Sequence, residues 1–381
     1  MITVLGVIVG LLILTVIVAV HELGHAIAAR RAGVVVEEFG IGFPPRAWSK
    51  KLKNGILVSV NWLPLGGFLK MQGPHDAANK KGDYGRANLW QKTQILFGGV
   101  VFNLIFAAMI FTVLAWIGMP KLLDNQFTVA NDTRTTLSPV MVSFVEPGAP
   151  ADQAGLKRGD ELVSVAQTPI EHFADVSRIT SEHQGENVTI DFKRDGELLS
   201  VQTTLRSENE DRRGFLGIGI GQSETIRATW SAPIVGVATT VQLTYETVKG
   251  VGQLFANFFG GLVRQLSFSN EVRDEGRQSV SQAGDGVAGP IGIIGELFPQ
   301  ALRMGPVPLL MLAGIISLSL AVMNALPIPA LDGGRWLIMV IFRLLKKKLT
   351  PELEEKINAT GFMVLIGLIL LITVVDVARF F

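Results

Sequence analysis

The sequence predicts a multi-pass α-helical membrane protein that carries one inserted α+β domain, and three observations predict it. Only 18% of the 381 residues are charged and 48% are hydrophobic, whereas ordinary soluble domains carry about 25% charged residues. Four stretches free of acidic and basic residues reach the length that a hydrocarbon core requires, about 20 residues. They are Ile2–Val20, Thr93–Pro120, Met304–Leu331 and Ile357–Val375. Between the second and third lies a polar segment with the alternation and turn signals of short strands.

The first span belongs to residues 1–33 and is expected to be retained. Ala26-Ile27-Ala28 mimics a signal-cleavage site, but no basic residue precedes the apolar run. That run also exceeds the about 7–15 residues usual for a secretory signal. Lys and Arg then set the orientation. They crowd the loop after the first span, from Arg30 to Lys92, and the loop after the third, from Arg335 to Lys356. Both loops are expected in the cytoplasm, with residues 121–303 outside the membrane.

Residues 34–92 read as a cytoplasmic, membrane-associated β segment. Asn54-Gly55, between PRAWSKKLK and ILVSVNW, predicts a hairpin. An exposed strand edge there would pair with an extended peptide; a plain cytoplasmic cap is the alternative. Residues 93–120 form the second span, where Asn103, close to Gly98 and Gly99, is expected to serve helix packing. Residues 304–335 form the third span with Leu331-Asp332-Gly333-Gly334 at its end, 336–356 a cytoplasmic loop, and 357–378 the fourth span.

The inserted domain is expected over 128–222. VMVSFV alternates like a strand, a short helix should end at Gly155, and ELVSV should follow as a second strand. Asp195-Gly196 centres a hairpin, and GFLGIGI would close the sheet. The run PGAPADQAGLKRGDELVSV resembles the PDZ fold, which binds peptide ends by adding a strand to an open edge. Gly214–Gly217 reads either as a carboxylate-binding loop or as a plain strand end. Residues 224–303 are expected to form amphipathic interfacial helices, because Arg227, Glu246 and Lys249 interrupt an apolar pattern of helical spacing.

Composition also excludes. The chain has no cysteine, so disulfides and thiolate metal sites are out. Its net charge of +1 and the lack of a basic patch interleaved with aromatics give no reason to expect nucleic acid as a partner.

The chemistry sits at the end of the first span. His21-Glu22-Leu23-Gly24-His25 is an H-E-x-x-H sequence. Residues four apart lie on one helix face, so both imidazoles can reach one Zn2+ ion while Glu22 projects beside them. Snorkelling to the interface would account for one polar residue, not three at metal spacing. A catalytic zinc takes three protein ligands. Glu37 and Glu38 are near in sequence but fall at a strand start. Asp332 is the better candidate, in NALPIPALDGGRW at the inner end of the third span. Pro327 and Pro329 should leave that stretch partly extended, and Gly333 and Gly334 permit close backbone approach. The alternative is that Asp332 only caps a following helix. Spans one and three run in the same direction, which brings Asp332 to the depth of the histidines.

HELGH, ALPIPALDGG, FGGVVFN and the single PDZ-like insert together resemble the site-2 protease family of intramembrane zinc metalloproteases, in its bacterial RseP-like branch. The resemblance spans nearly the whole chain. It implies that His21, His25 and Asp332 bind zinc, that Glu22 is the catalytic base and that Asn324 helps to hold substrate. Asn324 has a second reading, as a group that satisfies backbone freed by Pro327. WLPLGGFLKM is similar to the family's membrane-reentrant β-loop. Implied partners are single-pass membrane proteins already trimmed by another protease, such as anti-sigma factors or remnant signal peptides. The PDZ-like domain would bind or exclude their ectodomains, and the setting would be the bacterial cytoplasmic membrane. Two rival functions fit less well. A silent adaptor presenting the PDZ-like domain has no need of HELGH and Asp332 together, and a metal transporter needs a polar pathway that the other spans lack.

Overall fold

A computed structural model of the chain describes residues 2–208, 214–265 and 289–380. They form two compact units, one of Met1–Ile117 with Trp230–Phe381 and one of Gly118–Thr229. The first unit opens with helix α1 (Ile2–Arg31), which runs unbroken through the histidines because HELGHAIAARR is rich in strong helix formers. Strands β1 (Val36–Lys51) and β2 (Leu57–Met71) follow, joined by a turn in which Gly55 has φ +88°. The expected hairpin is there, with a doubled register. Glu38–Ile41 pairs with Leu57–Val60 on one side and with Gly67–Lys70 on the other. Each strand therefore bends back on the pair, and Gly67–Met71 is left at an edge. Gly42, at φ +76°, lies at the bend, where a Cβ would press within 2.6 Å of the Leu63 carbonyl oxygen.

Helix α2 spans Leu89–Ile117, four residues ahead of the predicted start and three short of the predicted end. Its N-terminus is set by a reciprocal cap. The Gln91 amide N–H donates to Asn88 Oδ1 at 2.9 Å, and the Asn88 N–H donates to Gln91 Oε1 at 3.0 Å. Gly118, at φ +107°, ends the helix, and Met119–Pro120 becomes a strand.

The second unit holds two sheets. Strands β3 (Met119–Pro120), β4 (Arg134–Leu137) and β11 (Glu224–Arg227) form one, in the order β3-β11-β4. Residues 118–127 and 223–229 thus fall in this unit, outside the predicted limits of 128–222. The larger sheet contains β5 (Val140–Val145), β6 (Glu161–Val165), β7 (Thr168–Pro169), β8 (Asn187–Arg194), β9 (Glu197–Thr204) and β10 (Ile218–Gly221). Its order is β10-β5-β6-β8-β9, with β7 on β6 and β10 at an edge. The short helix α3 (Pro150–Gln153) precedes Gly155, and the β8–β9 turn has positive φ at both Asp195 and Gly196. Helix α4 (Phe173–Glu182) was not legible in the sequence. It carries only three inward residues, Val176, Ile179 and Thr180, which seal a core of Val142, Leu162, Ile190 and Phe192.

The first unit resumes with α5 (Ala232–Gln265), a single long helix where interfacial segments were expected from residue 224. It packs along α2, with Gly236 so close to Thr112 that a Cβ would overlap its main chain. The expectation for residues 266–288 lies outside the described residues. Helix α6 begins at Pro290–Gly292, widens to a π turn over Ile293–Leu297 and closes as Phe298–Met304. Pro299 and Phe298 fill the notches of Gly6 and Gly10 on α1. Helix α7 (Pro306–Ala325) stops well before the predicted Leu331, since Pro327 and Pro329 cannot continue it. Helix α8 (Asp332–Leu344) runs into what reads as a loop from residue 336; its amphipathic pattern buries Met339 against Tyr84. Helix α9 (Pro351–Phe380) covers the fourth apolar stretch. Among the described residues three helices, α1, α2 and α7, are long and apolar enough to cross a membrane.

Candidate metal centre

Helix α1 places His21 and His25 one turn apart, and both side chains are buried, at 6% and 7% exposure. Their Nε2 atoms lie 3.1 Å apart. Asp332 Oδ2 lies 3.2 Å from His21 Nε2 and 3.3 Å from His25 Nε2. These atoms form the one group of three potential metal ligands found among the described residues. Tetrahedral ligands about 2.0–2.1 Å from zinc stand roughly 3.3 Å from one another. The three observed separations match that edge. Asp332 Oδ2 is buried without a hydrogen-bond donor, as suits an atom that faces a cation. The residues present therefore fit Zn2+.

The supports of the two rings are non-local, and sequence reasoning missed them. His25 Nδ1–H donates to the Ile95 carbonyl at 2.7 Å, which fixes the tautomer that leaves Nε2 free to ligate. His21 Nδ1 faces the Asn103 side-chain amide at 3.5 Å, and Asn103 Oδ1 is buried without a partner. Exchanging the amide O and N lets His21 Nδ1–H donate to Oδ1 and satisfies both groups. Asn103, expected to serve helix packing, is thus a neighbour of a ligand. Its own carbonyl accepts from Ser317 Oγ at 2.9 Å, tying α7 to the same point.

Glycines bring α2 this close. A Cβ on Gly98 would come within 2.7 Å of the Gly24 carbonyl, and one on Gly99 within 2.6 Å of His21 Cε1 and His25 Nε2. Gly99→Ala should therefore push the imidazoles apart and weaken zinc binding by about 10–100-fold, the range for altered ligand support. Competition with a chelator checks this, and unchanged affinity would contradict it.

Asp332 reaches the rings from the other side. After α7, Leu326 turns extended at ψ 146°, and the chain folds back so that Gly333 and Gly334 lie against the carbonyls of Ala325 and Ile328, where any Cβ would collide. Asp332 is the first residue of a helix whose N-cap is Leu331, so it does not cap that helix as the alternative held, and it meets both histidines. That helix is anchored from behind. Arg335 NH2 and Nε donate to Glu354 Oε1 at 3.0 and 3.2 Å, and Arg335 also bonds the Pro74 carbonyl. Its guanidinium lies 4.8 Å from the centre of the Tyr84 ring, with Lys92 Nζ 5.3 Å from the same centre and paired to Asp76. Burial raises the Tyr84 phenol above its ordinary value.

Glu22, Asn324 and the three ligand residues line one cavity of about 350 Å³ whose remaining walls include Val18, Leu69, Met71 and Leu320. Leu69, on the edge segment of β2, shares the wall of that cavity with Glu22. Asn324 Nδ2 donates to the Leu320 carbonyl at 3.1 Å within its own helix, not to backbone released by Pro327. Glu37 and Glu38 are engaged elsewhere, Glu37 with Lys70 and Glu38 with Ser59 and Arg46. His75 is not part of the ligand group, and His172 and His183 belong to the second unit. His183 pairs with Glu186, and His75 lies 3.9 Å from Glu354.

A model of peptidase family M50 matches residues 9–368. The chain is 29% identical over 370 residues to a protein of Clostridium perfringens named as a zinc metalloprotease, covering 97% of each chain. It is 30% identical over 378 residues to one so named of Nostoc, covering 96% of this chain and 93% of that one. A third, of Helicobacter pylori, is 29% identical over 384 residues, 98% and 99% of the two chains.

Proposed function

The chain belongs to peptidase family M50, the site-2 proteases, and is a membrane zinc metalloprotease, and from that premise we propose that it cuts peptide bonds inside the transmembrane segments of single-pass membrane proteins. The convergence of His21 and His25, on a membrane-grade helix, with Asp332 on one point, with Glu22 beside them, carries this reading. His21, His25 and Asp332 would hold the zinc. Bound there, the ion would supply a Lewis acid and would lower the pKa of its water toward about 7. Glu22 takes the proton of the attacking water and passes it to the leaving amine. The Asn324 amide faces the same cavity and donates to the carbonyl oxygen as charge develops on it.

A transmembrane substrate is a helix whose carbonyls are bonded internally, so it must unwind locally. The edge Gly67–Met71 borders the metal cavity through Leu69 and Met71 and offers free backbone groups to an extended segment. The second unit serves as the PDZ-like module, with the edge strand β10 and the preceding Gly214–Gly217 receiving or excluding substrate ectodomains. Helix α9 is the fourth span. The basic loops put the second unit outside a bacterial cytoplasmic membrane, in the manner of the RseP-like branch. Substrates are then proteins already shortened by a first protease, anti-sigma factors and remnant signal peptides among them.

Purified enzyme in lipid nanodiscs, given a single-span substrate with and without its ectodomain, tests this. Mass spectrometry should place the cut within the apolar segment, and the trimmed form should be cut faster. Cleavage confined to aqueous loops would overturn the proposal.

A further inference from the structure

A second groove lies between α1 and α2 and shares no lining residue with the metal cavity. It has a volume of about 380 Å³, and its walls are largely apolar, with Ile27, Phe97, Val101 and Phe102. Its floor is the Gly24–Gly98 crossing. Three polar side chains stand in its lining, Arg31 from the last turn of α1 and Thr93 and Gln94 from α2. Arg31 is exposed, has no ion-pair partner among the described residues, and no acidic residue lines the groove. Trp90, 69% exposed, also lines it, from the first turn of α2.

We propose that this groove is a binding site for one anionic phospholipid, with the phosphate on Arg31 and an acyl chain along Ile27, Phe97 and Val101. Charge complementarity argues for the headgroup: an unpaired cation stands where two apolar helices end, and no carboxylate competes for it. Trp90 suits the same depth, because an indole at a helix end settles at the headgroup level. The lining argues for the chain, since Ile27, Phe97, Val101 and Phe102 offer an acyl chain apolar walls. A lipid seated there would brace the Gly24–Gly98 crossing, one residue from Gly99 and the imidazoles it touches.

The full-length protein, purified in detergent and offered phosphatidylglycerol or phosphatidylcholine, tests this by native mass spectrometry. The wild type should retain phosphatidylglycerol about fivefold better, the effect of one basic residue near an anionic headgroup. Arg31→Gln, a change at an exposed side chain, should erase that preference. Ile27→Trp should fill the groove and lower retention of both lipids. Equal retention of the two lipids by the wild type, a preference that survives Arg31→Gln, or lipid retained in full by Ile27→Trp would each overturn the assignment. A photoreactive residue at position 27 should label lipid; labelling of a transmembrane substrate instead would also overturn it. Bound lipid is read without any cleavage assay, so failure here is distinct from failure of the proteolytic reading.

Discussion

Glu22→Gln should abolish cleavage of a transmembrane substrate while leaving zinc bound. Glutamine keeps the length of the side chain and an oxygen that can still accept a hydrogen bond. What it loses is the capacity to take a proton. General acid–base catalysis contributes about 10²–10⁴-fold, and on this account Glu22 serves twice, first for the attacking water and then for the leaving amine. The loss should sit at or beyond the upper end of that range. Zinc content should stay at the wild-type value, because the convergent group is His21, His25 and Asp332, without Glu22. The measurement is cleavage rate in nanodiscs together with metal analysis of the same preparation. A variant that retains substantial activity would remove Glu22 from its role.

Asp332→Ala should instead empty the site. Asp332 contributes the atom that lies 3.2 and 3.3 Å from the two ring nitrogens. Without it two imidazoles remain, one ligand short of a catalytic zinc site. Loss of outer support alone weakens metal binding by about 10–100-fold, so loss of a ligand should exceed that, and activity should fall with it. The fold should survive. Removing a carboxylate from the first turn of α8 costs about 0.3–1 kcal/mol through the helix dipole. Arg335 still holds Glu354, and Trp336 Nε1 still donates to Thr93 Oγ1 at 2.8 Å. Zinc stoichiometry and chelator competition read the effect, with circular dichroism as the control. Unchanged affinity would assign the third ligand to another residue.

Local signals carried much of this into the sequence. The i, i+4 spacing of His21 and His25 survives into the structure because both ride one helix. Asp332 could be matched to them only through orientation, since the basic loops place the ends of α1 and α7 at one depth. Asn54-Gly55 and Asp195-Gly196 declared their hairpins through turn chemistry. What stayed hidden depends on residues far apart in the chain. The Ile95 carbonyl and the Asn103 amide meet the histidines only after Gly24, Gly98 and Gly99 let two helices nearly touch. Leu69 reaches the cavity that Glu22 lines only because β2 doubles back to form an edge. Helix α8 hid among basic residues, since Arg335 looks like loop solvation until Glu354 and the Pro74 carbonyl are seen around it. The start of α2 was legible in principle, in the Asn88–Gln91 pair three residues apart.

The most direct test of the account is where the metal lies. Anomalous diffraction at the zinc absorption edge, from crystals of the full-length enzyme, should show one peak bonded to His21 Nε2, His25 Nε2 and Asp332 Oδ2 at about 2.0–2.2 Å. A zinc peak that includes the two histidines but leaves Asp332 beyond bonding distance, or a peak elsewhere in the molecule, would contradict it.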